Sequence, residues 1–168
     1  MNKITVNIDR HGDIGVVRGA TLEHISKKLS KKYSSIIVAA TVDNHLRELS
    51  FPIQKECNIK FLDLTTADGI RVYTRSLAFV FIKASREILP DCKVTVEHSL
   101  SKGLYCKIYY KRQINEYDVE KIKKRMLDIV DEDIQFVKDN IPVEEAKKIF
   151  EQSGLDSKAK LLDFRKSQ

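Results

Sequence analysis

The 168-residue chain contains no apolar run approaching the ~18 residues needed to span a bilayer, so no membrane partner is expected. Its opening, MNKITVNIDR, lacks the apolar core of a secretory signal, and a cytoplasmic protein is the expectation. Only three cysteines occur, Cys57, Cys92 and Cys106, with no C-x-x-C pair, which argues against a disulfide framework or a Cys-rich zinc motif. Three reduced thiols are expected. There is no G-x-x-x-x-G-K-[ST] phosphate loop, no G-x-S-x-G elbow and no H-E-x-x-H. The chain by itself is therefore expected to turn over no substrate and to hold neither cofactor nor metal.

What is present is a foldable composition. Hydrophobic residues make up 42%, enough for one ordinary domain or two small ones. The net charge of +6 is compatible with an RNA or phosphate-bearing partner without requiring one. It is weighted to the front: up to Leu62 there are 10 Lys and Arg against 6 Asp and Glu. Lys27, Lys28, Lys31 and Lys32 fall in a predicted helix, where the pairs 27/31 and 28/32 share its outer surface. They form either a solvated face or a phosphate-contacting patch.

Residues 1–64 read as strand, strand, helix and three strands. KITVNID alternates and is β-branched, His11-Gly12-Asp13 supplies a turn, and IGVVR returns as a hairpin partner. Thr21 can N-cap a helix with Leu22, Ile25 and Leu29 on its inner face. SSIIVAATVD suits a central strand, Asp43-Asn44 a turn, Leu46 to Leu49 a short strand ended by Pro52, and Ile59 to Leu64 the closing strand. That order is the β-grasp, ubiquitin-like arrangement.

The strand-turn-strand with Gly12, the Gly19-Ala20-Thr21 helix entry and the V-D-N-x-x-x-x-L-S-x-P-I run from Val42 to Ile53 resemble a TGS domain. TGS domains open threonyl-tRNA synthetases and occur in certain GTPases and stringent-response enzymes. The family has no catalytic residues, so the resemblance implies binding of an RNA or nucleotide-like small molecule.

Residues 65–168 complete an α+β chain: a long helix packed on an antiparallel sheet. Tyr73, Leu77, Val80, Phe81, Ala84 and Ile88 form one stripe at a period of 3.6, predicted to be buried, and Pro90-Asp91 ends the helix. KVTVEHSL and LYCKIYY pair about Ser101-Lys102-Gly103. A helix from Glu116 to Val130 buries Val119, Ile122, Met126 and Ile129, IQFVKD reads as a further strand, and the helix opened by Pro142 ends at Gly154.

The helix ending in L-P-D-C-K-V, the G-L-Y-C-K strand and the VEEAKKIFEQSG helix resemble the second domain of threonyl-tRNA synthetases, shared with alanyl-tRNA synthetases and free-standing editing proteins. Editing-competent relatives carry H-S-x-A-H on the long helix. Here the run is Arg75-Ser76-Leu77-Ala78-Phe79, and the family's later Cys and His would lie beyond Gln168. Arg75 and Phe79 share one face at i, i+4, where two histidines would form half a zinc site. Arginine stays protonated and can bind an anion but serve as neither base nor zinc ligand. The resemblance implies a degenerate editing cleft at Arg75, Phe79, His98, Tyr105 and Cys106, with solvated or packing roles as the alternatives. Tyr105, Tyr109 and Tyr110 beside Lys107, Lys111 and Arg112 either pack or offer stacking surfaces for single-stranded RNA.

The same pair of domains with the histidines lost is similar to the front of bacterial uridine kinase-type nucleoside kinases. That similarity implies an accessory, regulatory binding region truncated within its second domain. A kinase domain in cis, using ATP and Mg, would follow it. A tRNA-binding or editing region of a threonyl-tRNA synthetase and a stand-alone RNA-binding module are the alternatives.

Overall fold

The computed structural model describes residues 2–100 and 103–164, without the side chain of Leu100. The predicted turn residues Ser101 and Lys102, and residues 165–168, lie outside it. Two compact units divide after Glu132.

The first unit opens with β1 (Lys3–Ile8), β2 (Gly12–Val17), α1 (Leu22–Leu29), β3 (Ile37–Val42), β4 (His45–Arg47) and β5 (Asn58–Asp63). The sheet order is β2-β1-β5-β3-β4. Only the β1 and β5 pair runs parallel; the others are antiparallel, giving the β-grasp expected from the sequence. Alternation in β1 turns Val6 and Ile8 inward, where they meet Leu22, Ile25 and Leu29 of α1 and Ile59 and Phe61 of β5. Each such fully buried side chain contributes roughly 1.5–3 kcal/mol. Thr21 caps α1 by accepting from the His24 amide at 3.2 Å, a contact of about 1 kcal/mol. The Asp43-Asn44 turn has positive φ at both residues, +48° and +64°, as a two-residue type I′ hairpin requires. Asp43 Oδ1 also accepts from the Asn58 amide at 2.9 Å, tying that turn to β5.

Residues after 79 build a second core from α2 (Ala67–Ile88), the hairpin of β6 (Lys93–Leu100) and β7 (Gly103–Tyr109), and α3 (Glu116–Asp131). Ala84, Leu89, Cys92, Ile122 and Ile129 are its buried members, with Val80, Phe81, Ile88, Val94 and Ile108 packed on them. Of the predicted α2 stripe only Ala84 is thus buried, with Val80, Phe81 and Ile88 half-buried beside it. Tyr73 and Leu77 are 48% and 41% exposed and take no part in the second core. Val119 is likewise exposed, and Asp118 takes the buried position beside it. Gly69 lies inside the first turn of α2.

The second unit holds α4 (Val143–Gln152) and α5 (Asp156–Leu162), joined through Gly154 at φ +65°. Pro142 occupies the N-cap, with Glu144 and Glu145 in the first turn. Lys147 pairs with Asp163 at 2.6 Å. The strand expected over IQFVKD is absent. Asp133 has φ +50°, residues 134–140 are exposed, and they pair with no strand among the described residues.

Candidate nucleic-acid interface

In β6 and β7, Tyr105, Lys107 and Tyr109 are spaced two apart and so share one face, opposite His98, Thr95 and Lys93 respectively. Tyr105 and Tyr109 are 41% and 53% exposed. The His98 ring lies 5.1 Å from that of Tyr105, and the Lys107 ammonium sits 5.6 Å from the centre of the same tyrosine. Lys107 also donates to Glu97 at 2.9 Å, and this hydrogen bond raises the lysine's pKa. The face therefore combines an imidazole, two phenols and a held cation, a composition suited to stacking bases and meeting phosphates.

A register shift between Val96 and His98 makes Glu97 an extra residue of β6 and sets His98 opposite Tyr105. Cys106 alternates onto the other face, opposite Val96. Its thiol contacts the Leu104 carbonyl at 3.9 Å, and burial pushes its pKa up. Of the five cleft positions, the structure brings His98 and Tyr105 together and turns Cys106 away from them. Arg75 and Phe79 stand one turn apart on exposed positions of α2. Arg75 has no hydrogen bond or ion pair among the described residues. Ser76 donates to the Val72 carbonyl at 3.1 Å within its own helix. Among the described residues, no three of His, Cys, Asp and Glu converge as a metal-ligand set.

The other basic positions differ in availability. Helix α1 ends at Leu29, so Lys31 and Lys32 occupy a following 3-10 turn (Ser30–Lys32) and the predicted i, i+4 pairs do not share a helical face. Tyr33 ends that turn by packing on Phe61, 6.2 Å between ring centres. Lys27 is paired with Glu23 at 2.6 Å. Lys111 and Arg112 both lie 5.5 Å from the Tyr110 ring, and Tyr110 packs on the second core.

Arg112 is committed to a structural task. Its two terminal nitrogens donate to Asp118 at 2.6 and 2.7 Å, while Asp118 and Asn115 form a capping box at the start of α3. The guanidinium, followed by the Asn115 amide, holds the Asp118 carboxyl down at about 2. The N-x-x-D spacing was the signal for this cap. A second feature absent from the sequence-derived sites is a cavity of about 450 Å³ beside β4, lined in part by Arg47, Phe51 and Lys55. The V-D-N motif contributes Val42 and Asp43 to its lining, but the spacing signals only the turn.

No protein-family model matches the chain. It is similar to the threonine–tRNA ligase of Symbiobacterium thermophilum, 28% identical over 146 residues, which is 87% of this chain and 22% of that protein. The threonine–tRNA ligase of Anaplasma marginale is 27% identical over 162 residues, 96% of this chain and 26% of that protein. That of Acetivibrio thermocellus is 24% identical over 144 residues, 86% and 23%. The chain spans about a quarter of the length of the curated relatives it matches. These relatives support a region of threonyl-tRNA synthetase type across both sequence segments. They favour the synthetase alternative over the nucleoside-kinase reading, to which they lend no support.

Proposed function

We propose that this chain is a tRNA-binding region of threonyl-tRNA synthetase type whose editing cleft has lost its hydrolytic groups, with the aminoacylating domain in cis. The observation that carries it is the face of Tyr105 and Tyr109, both exposed, with the half-buried Lys107 between them, set beside relatives named as threonine–tRNA ligases. Exposed phenols accept bases by stacking, and the cation between them meets the backbone. Arg75 and Phe79 stand where the family's editing histidines would be, and neither side chain can activate water.

Equilibrium titration with a threonine tRNA transcript tests the binding. Affinity should fall as salt rises, and Tyr105→Ala with Tyr109→Ala should weaken it by roughly tenfold or more. Unchanged affinity in the double variant would sink the assignment. Serine-charged threonine tRNA should be deacylated no faster than in buffer, and clear hydrolysis would overturn the loss of editing.

A nucleoside-kinase parent is the second reading, favoured by the replacement of both histidines at Arg75 and Phe79. Its ATP and Mg would belong to a separate phosphotransfer domain. The coding sequence after residue 168 discriminates: a phosphate loop there supports the kinase, and class II synthetase motifs exclude it.

A further inference from the structure

The cavity beside β4 belongs to the β-grasp and is independent of the hairpin face. Its volume of about 450 Å³ falls within the ~300–1,000 Å³ typical of small-molecule sites. Val42, Phe51 and Ile53 give it an apolar lining, and Arg47 and Lys55 add nitrogen donors. The Arg47 guanidinium lies 4.8 Å from the centre of the Phe51 ring, which orients its fork and reduces the hydration it must shed to bind an anion. Neither Arg47 nor Lys55 has an ion-pair partner among the described residues, whereas Lys27, Lys83, Lys107, Arg112, Arg125 and Lys147 all do.

The remaining polar groups are arranged to leave those charges in excess. Asp43, a carboxylate of the lining, commits Oδ1 to the Asn58 amide. The His45 ring bonds the Asp43 carbonyl through Nδ1 at 2.9 Å, leaving Nε2 uncommitted. Two cations against one carboxylate, over an aromatic and branched lining, match a ligand with a multiply charged anionic end and a flat apolar body. We propose that this cavity binds a small phosphate monoester carrying a planar group, with Arg47 and Lys55 on the phosphate and Phe51 beside the ring.

The full chain, labelled with nitrogen-15, can be titrated with phenyl phosphate, inorganic phosphate, benzoate and benzyl alcohol while amide shifts are followed. Phenyl phosphate should shift amides between residues 43 and 57 saturably, at least tenfold more tightly than inorganic phosphate or benzyl alcohol. Arg47→Met and Lys55→Met, both exposed positions whose spectra report whether the fold is kept, should each weaken it tenfold or more. Benzoate binding as tightly as phenyl phosphate would overturn the phosphate assignment. Shifts scattered over other surface lysines, or unchanged affinity in the two variants, would overturn the site itself.

Discussion

Gly69 sits so close to Asp63 that a β-carbon on the glycine would lie 2.0 Å from the Asp63 carbonyl oxygen. The junction between β5 and α2 is tied at the same point by three further bonds. Thr66 Oγ1 donates to the Asp63 carbonyl at 2.8 Å and accepts from the Gly69 amide at 3.1 Å, and the buried Asp63 carboxylate accepts from the Thr65 hydroxyl at 2.6 Å.

Gly69→Ala must therefore move backbone, not a flexible side chain. It should destabilise the first unit by about 1–3 kcal/mol, the usual cost of overpacking. Urea unfolding checks it; an unchanged midpoint would show that the junction yields freely.

Asp118 sets an acid limb. Its folded pKa of about 2 lies below the ~3.9 of an unfolded aspartate, so its stabilisation is complete above the unfolded value and fades as pH falls toward 2. The difference in unfolding midpoint between wild type and Asp118→Asn should be largest near pH 6 and shrink steadily below pH 4. A difference independent of pH would refute the assignment of this limb to Asp118.

Glu87 of α2 accepts from Lys83 at 2.6 Å and from Arg125 of α3 at 2.5 Å, and Arg125 also donates to Glu132 at 2.6 Å. These hydrogen bonds lower the Glu87 pKa and raise that of Arg125. A double-mutant cycle on Glu87→Gln and Arg125→Met should give a favourable coupling that weakens in 1 M salt, as expected of a half-exposed network. Zero coupling at low salt would count against a clamp between the helices.

All three thiols have pKa values raised chiefly by burial. Iodoacetamide should label the native chain slowly at neutral pH and the unfolded chain quickly. Cys92, 5% exposed and donating to the Ser85 carbonyl at 3.5 Å, should be last. Mass spectrometry of timed samples would expose a different order.

The β-grasp was legible because each element carries its own local signal: alternation in KITVNI, a threonine cap at Thr21, positive-φ residues at Asp43-Asn44. α3 was legible for the same reason. Periodicity shows which residues share a face and not whether anything covers it, so Tyr73, Leu77 and Val119 were misjudged as buried. IQFVKD is apolar enough for a strand but joins no β-ladder among the described residues, and the seven-residue α5 has neither a side-chain cap nor a long stripe to announce it. Arg75 and Phe79 were placeable from i, i+4 spacing alone. Which hairpin residues join His98 depended on a bulge, and the Arg47 cavity depended on chain segments brought together by the fold.

The extra residue at Glu97 settles a question of sidedness. Paired without it, β6 would set His98 opposite Leu104, on the side that carries Cys106. With it, the hairpin is a two-sided ribbon that keeps imidazole and phenols on one surface and the thiol on the other. A strand of RNA lying along the aromatic surface would meet no sulfur, and an oxidant reaching Cys106 would leave the stacking residues untouched.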